Sequence, residues 1–247
     1  MELQFSGVRA LILGGSCDMG LALAEALMAS GLHPLLTYRD GKGLARIHDR
    51  LDASGLPYDS VRVALEEPSG NSELDGYLGQ GVDYLVDMAQ GHLEGLVASV
   101  DHQAVRKFFD ADIAGRAGLI QQVARAMLTR RKGRLVYVSS TAAGRPNPGQ
   151  GFYAAAKQAA EALYRNLGLE LSGRGITAVI LRPGYVDAGR GRRYLERDGR
   201  QALAGVPLGR PLTVLEVVNT IMFLLCDSAA GFNATVLTMD GGLSAAK

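Results

Sequence analysis

Three side chains of this sequence are typed and spaced for moving a proton. Tyr153 and Lys157 bracket the run Tyr153-Ala-Ala-Ala-Lys157. Residues four apart on a helix share one face, so both can point at one cavity. An unperturbed tyrosine, with a pKa of about 10, is a poor acid or base near neutrality. A nearby ammonium favours the phenolate and draws that value down. Ser140 follows the apolar run 135–138, where a strand would end. Its hydroxyl can hold a substrate oxygen while the tyrosine gives it a proton. The trio suits proton donation to a carbonyl as hydride arrives. Singly, each residue is more often structural. Their joint placement at one sheet edge is what carries the reading.

A second constellation lies near the start of the chain. The segment Leu11-Ile-Leu-Gly14-Gly15-Ser16-Cys17-Asp18-Met19-Gly20 reads as a strand, a glycine turn and a helix start. Such a turn lets backbone approach a pyrophosphate, and the helix N-terminus behind it favours negative charge. Alone the signal is weak, because a tight turn needs glycine too. After the second strand stands Thr37-Tyr38-Arg39, with no acidic residue to take a ribose diol. A guanidinium suits a 2′-phosphate, which favours NADP(H) over NAD(H). The plainer alternative makes Arg39 a solvated charge beside Asp40.

The elements that must position these residues follow from periodicity. Short apolar runs at 9–13, 34–38, 60–65, 83–89, 133–139, 175–181 and 234–239 read as strands. Helical spacing fills 20–30, 43–54, 102–131, 153–172 and 214–225. The helix at 153–172 is expected to bury Ala156, Ala160, Leu163, Leu167 and Leu171. Strands alternating with helices make βαβ units, hence an α/β fold: a doubly wound, seven-stranded parallel sheet with helices on both faces. No linker or repeat divides the chain, so one domain over 1–247 is expected. The stretch 188–211 has the weakest periodicity and is rich in Arg and Gly. It is expected to cross the carboxyl edge of the sheet as a mobile lid.

Composition narrows the function classes. A net charge of +1 argues against an electrostatic nucleic-acid binder. Cys17 and Cys226 form no close pair, and the four histidines lack metal-site spacing, so neither a disulfide framework nor a metal is expected. The N-terminus has no signal-peptide pattern, and no apolar run is long enough for a membrane span. A cytoplasmic protein is the expectation.

Taken jointly, the motifs resemble those of the short-chain dehydrogenase/reductases, nearest the 3-oxoacyl-carrier-protein reductase branch. The resemblance rests on the loop at Gly14, on Ser140 and on Pro148-Gly-Gln-Gly-Phe-Tyr153-Ala-Ala-Ala-Lys157. It continues through Arg174-Gly-Ile-Thr, Arg182-Pro183-Gly184-Tyr-Val, Pro207-Leu-Gly-Arg210 and Met239-Asp-Gly-Gly242. It implies a Rossmann-like fold, a nicotinamide cofactor and a homotetramer or homodimer. Tyr153 would be the acid/base, Lys157 would hold the ribose and lower the Tyr153 pKa, and Ser140 would hold the substrate oxygen. The cofactor would lie along Gly14, Ser16, Cys17, Asp18, Met19, Gly20, Arg39, Leu65, Met88, Ala89, Tyr153, Lys157, Pro183, Gly184 and Val186.

The sequence departs from that family pattern at several places. Leu13 and Asp18 stand in the glycine loop for a Thr and a Gly, and Asp18 would repel a pyrophosphate unless its side chain turns away. The fourth strand ends Asp87-Met88-Ala89-Gln90 where Asn-Asn-Ala-Gly is usual. The residue matching the family's relay Asn is Asp112, counted here with the catalytic set. Ala188 replaces a Thr that binds the carboxamide. The activity implied is NAD(P)H-dependent reduction of a 3-oxoacyl thioester, on acyl carrier protein or CoA, or of a related ketone. The alternatives are a dehydrogenase of a specialised alcohol or polyketide intermediate, and a degenerate member that binds without turnover. Basic residues in the lid (Arg190, Arg192, Arg193, Arg197, Arg200 against Asp187, Glu196, Asp198) could meet a phosphate or an acidic substrate. Arg131 and Arg174 match places where the carrier-protein reductases face an acidic carrier, and Arg130, Lys132 and Arg134 extend that patch. Phe152 and Tyr185 are expected to wall the cavity.

Overall fold

The computed structural model describes residues 3–67 and 72–246. Seven strands form one parallel sheet in the order β3-β2-β1-β4-β5-β6-β7. They are β1 (Arg9–Leu13), β2 (His33–Tyr38), β3 (Asp59–Arg62), β4 (Tyr84–Asp87), β5 (Gly133–Val138), β6 (Ile176–Pro183) and β7 (Thr235–Met239). The central strands are buried on both faces, which is why they read as unbroken apolar runs rather than as alternation.

The helices are α1 (Asp18–Ala29), α2 (Gly41–Leu51), α3 (Ser72–Gly79), α4 (His102–Phe109), α5 (Arg116–Arg130), α6 (Gly151–Leu171), α7 (Gly189–Leu203) and α8 (Val214–Leu225). Two apolar clusters cover the two faces of the sheet. One takes Leu23 and Leu27 of α1, Ile47 of α2 and Val217 and Ile221 of α8. The other takes Leu74 of α3, Leu119 and Val123 of α5 and Ala160 and Tyr164 of α6. The doubly wound α/β reading of the sequence is therefore what the chain adopts.

Four local expectations are corrected. The helical stretch 102–131 is not continuous: a π-helical turn at Asp110–Gly115 separates α4 from α5. A one-residue-per-turn excess leaves no trace in apolar spacing, so it was not legible. Helix α3 was missed, because its acidic residues interrupt any apolar stripe. Leu163 is exposed on α6 and Tyr164 is buried instead. The stretch 188–211, where the sequence reading placed a lid and no helix, holds α7. Gly189, Gly191 and Gly199, poor helix formers, had masked it.

The crossover order reverses between β1 and β4. In open parallel sheets, ligands bind beyond the carboxyl ends at such a switch. Gly14, Arg39, Leu65, Met88, Ser140 and Gly184 all follow carboxyl ends of strands. The side chains of Asp198 and Arg200, counted in the charge balance of the lid, lie outside the described residues.

Candidate active site

Strand β5 ends at Val138, and Ser140 opens a 3-10 turn whose Ala142 N–H donates to the Ser140 Oγ at 3.2 Å. Tyr153 sits half-buried in the first turn of α6, and Lys157 lies one turn later, fully buried. The structure thus brings Ser140, Tyr153 and Lys157 to one edge. The Tyr153 hydroxyl donates to Gln90 Oε1 at 3.1 Å. Lys157 Nζ donates to the Val138 carbonyl at 2.9 Å and stands 5.9 Å from the Tyr153 ring centre.

The electrostatics differ from the expectation. Burial pushes the Tyr153 hydroxyl above its ordinary value, against the pull of the Ser140 hydroxyl and the Arg190 guanidinium. Burial also pulls Lys157 down to about 7, helped by the positive charge of Arg116. Near neutrality the Lys157 charge is therefore half lost, and it does not bring the tyrosine down as a full ammonium would.

Asp112 is buried in the π turn, and both of its oxygens accept the Gly91 N–H at 2.9 Å. Its partner is Arg116, a residue the sequence reading missed. Arg116 is 1% exposed and pairs with Asp87 and, at 3.2 Å, with Asp112. It also donates to the Ala89 carbonyl at 2.6 Å. Asp87 accepts the Tyr164 hydroxyl at 2.8 Å and the Ala89 N–H at 3.1 Å. The two carboxylates that replace family amides are thus held by one buried guanidinium. The available signal was weak: Arg116 stands four residues after Asp112, the spacing of a helical ion pair.

The loop between β1 and α1 is tight, and bare of side chains at Gly14 and Gly15. Gly14 holds φ +77°, and its N–H donates to Thr37 Oγ1 at 3.0 Å. A Cβ on Gly20 would stand 2.6 Å from the Gly15 carbonyl oxygen, so only glycine fits there. Cys17 caps α1, its Sγ accepting the Gly20 N–H at 3.3 Å, and burial pushes its thiol up, so it is a neutral cap. Asp18 turns toward Arg46 at 2.6 Å and toward the Gly189 N–H at 3.1 Å. Met19 packs against the core beside it.

Arg39 lies exposed beyond β2, with Glu66 at 3.6 Å. Leu65 follows β3 with its carbonyl against Gly115. Met88 is buried, and its N–H donates to the Leu13 carbonyl at 2.9 Å. Pro183 ends β6, and a Cβ on Gly184 would lie 2.9 Å from Asp240 Cα. Val186 and Ala188 are buried and joined by an Ala188 N–H bond at 2.8 Å.

Two aromatic pairs lie beyond the carboxyl ends of the strands. Tyr185 stacks on Tyr194 of α7 at 5.6 Å, and Phe109 meets Phe152 edge-on at 6.3 Å. From α7, Arg190 reaches back over the Tyr153 ring at 5.6 Å.

The basic patch is not at this edge. Arg131 and Arg174 lie exposed just before β5 and β6, at the amino edge of the sheet. The 21-residue α6 separates Arg174 from Tyr153, about 30 Å along a helix axis. Arg130 pairs with Asp83, Lys132 donates to the Ser6 carbonyl and Arg134 to the Leu224 carbonyl, so all three have structural partners.

Among the described residues no group of three or more His, Cys, Asp or Glu side chains could hold a metal, and no helix is long and apolar enough to cross a membrane.

The chain is similar to known proteins over nearly its whole length. The family profile described as Enoyl-(Acyl carrier protein) reductase matches residues 16–244. The 3-oxoacyl-(acyl-carrier-protein) reductase FabG of Escherichia coli is 29% identical over 244 residues, covering 98% of this chain and 99% of that one. The 3-oxoacyl-(acyl-carrier-protein) reductase MabA of Mycobacterium tuberculosis is 28% identical over 94% of this chain and 91% of its own. A solved short chain dehydrogenase/reductase family protein superposes with a TM-score of 0.86 at 27% identity, covering 99% of this chain and all of that one.

Proposed function

Because the chain belongs to the short-chain dehydrogenase/reductase family, we propose that it reduces a ketone with NADPH. The substrate class is a 3-oxoacyl thioester, on acyl carrier protein or CoA, or a related ketone. The observation that carries the proposal is the meeting of Ser140, Tyr153 and Lys157 at the carboxyl edge, beside the bare glycine cradle of Gly14 and Gly20. The thioester is supported by relatives named for that activity at 28–29% identity over nearly the whole chain.

A nicotinamide cofactor, when bound, supplies the hydride. The cradle and the α1 N-terminus would hold its pyrophosphate, with Leu65, Met88, Ala89, Pro183, Gly184 and Val186 along the groove. Arg39, exposed and only loosely paired with Glu66, supports NADP(H) through its charge. Ser140 holds the substrate oxygen, and Tyr153 donates its proton to it. Burial keeps that hydroxyl protonated near neutrality, the form a donor needs, so the site is set for reduction. Lys157, poised at about 7, can hold or give a proton behind it. Asp112, committed to Gly91 and Arg116, orders the backbone here. Helix α7 serves as the lid. The protein works in the cytoplasm, and the exposed Leu169 and Leu215 support a homotetramer or homodimer.

One observation favours a second reading, a binding protein without turnover: Gln90 occupies the hydroxyl that the substrate needs. Stopped-flow fluorescence of NADPH and consumption assays on acetoacetyl-CoA and simple ketones separate the two. Tyr153→Phe is expected to lower turnover at least about 100-fold while cofactor binding persists. Arg39→Ala is expected to weaken NADPH more than NADH. Silence toward both cofactors would end the enzyme reading.

A further inference from the structure

We propose that Arg190, at the start of α7, is a positioning residue whose guanidinium favours the ionised form of the Tyr153 hydroxyl and ties it to the seated lid helix. The proposal rests on the acid/base role of Tyr153. The guanidinium carbon lies 5.6 Å from the Tyr153 ring centre. Its Nη1 donates to the Gly91 carbonyl at 3.1 Å and meets His92 Nδ1 at 3.1 Å. The preceding residue, Gly189, is held by Asp18 of the cofactor loop at 3.1 Å. Two adjacent residues of α7 thus bind to the glycine loop and to the segment after β4, and the second of them covers the reactive ring.

The titratable and polar groups around Tyr153 come from every neighbouring element. Lys157 lies on its own helix, Asp112 on the π turn, Tyr137 on β5, and Gln90, His92 and Glu94 on the segment after β4. Glu94 and Asp112 oppose a phenolate, while Ser140 and Arg190 favour it. Lys157 is a weak source of positive field here. Its Nζ is turned to Val138, and its charge is half lost near neutrality. A guanidinium is a permanent cation in proteins. Among the described residues that of Arg190 has no carboxylate partner to cancel its field.

The test uses the intact protein. Tyr153 is titrated in the free enzyme by phenolate absorbance, as the difference from Tyr153→Phe in the same background. The pH dependence of kcat is then followed in both directions, with acetoacetyl-CoA and NADPH, and with 3-hydroxybutyryl-CoA and NADP⁺. Reduction needs the phenol and falls off above its pKa. Oxidation needs the phenolate and rises through the same value. Loss of the cation in Arg190→Met is expected to move the absorbance titration and both kinetic limbs up by about one pH unit. Arg190→Lys, which keeps the charge, is expected to restore most of that shift. A uniform loss of rate with unmoved limbs and an unmoved titration would overturn the proposal. If the wild-type protein turns over in neither direction, the reductase reading fails, and the absorbance titration alone still decides the role of Arg190.

Discussion

At the residue scale, Gln90 is the unexpected neighbour. Its side-chain carbonyl accepts the Tyr153 hydroxyl at 3.1 Å, which is the bond that a substrate ketone would take. Substrate must displace it, so part of the binding free energy goes into breaking that bond. A neutral hydrogen bond contributes about 1 kcal/mol net. Gln90→Ala is therefore expected to lower the KM for the ketone about fivefold with kcat little changed. Initial rates over a ketone series check this. A raised KM would show that Gln90 instead helps to hold substrate. Sequence could place Ser140, Tyr153 and Lys157 together, because a strand end and a four-residue helical spacing set where they lie. It could not reveal Gln90 or Arg190, which reach Tyr153 across the fold from the segment after β4 and from α7. It also misjudged the sign at Tyr153, because the burial that raises the hydroxyl exists only once the chain is folded.

At the element scale, the π turn and the start of α5 hold β4 in place through charge. Arg116, 1% exposed, serves Asp87 and Asp112 together. The sequence showed the two carboxylates as defects, since their compensating cation carries no motif. Removing one partner of a buried ion pair leaves uncompensated charge, which costs about 3–5 kcal/mol. Arg116→Met is expected to destabilise the fold by that amount in urea unfolding. Adding Asp87→Asn and Asp112→Asn should return much of the loss, because amides need no counter-charge. If the triple variant is no more stable than the single one, the three groups are not coupled. The helices themselves were legible wherever an apolar stripe faced the sheet, as in α1 and α8. They were lost in α3 and α7, where acidic residues or glycines break the stripe.

At the scale of the whole molecule, the sheet and its two cores read directly from sequence because a parallel strand buried on both faces must be apolar. What the pattern hides is the set of ionisable groups the core encloses, and these fix how stability follows pH. Lys157 is pulled down to about 7 in the fold but titrates near 10.4 when unfolded. Between those values the unfolded chain binds the extra proton, so stability rises with pH across that window. Tyr137 and Tyr164 act in the opposite sense. Burial holds both hydroxyls well above their ordinary value, so the unfolded chain loses its protons first, above about 10, and stability falls there. The Cys17 thiol, also pushed up by burial, opposes the rise above about 8.5, where the unfolded chain loses that proton. The larger shift of Lys157 is expected to leave the free protein more stable at pH 9 than at pH 7, with the steeper decline beyond about 10. Lys157→Met should remove the rise between 7 and 9 and leave the alkaline decline intact. Urea midpoints measured at half-unit pH intervals decide it. A wild-type curve flat or falling from 7 to 9 would mean that Lys157 keeps its proton in the fold, and would remove it as a proton source behind Tyr153.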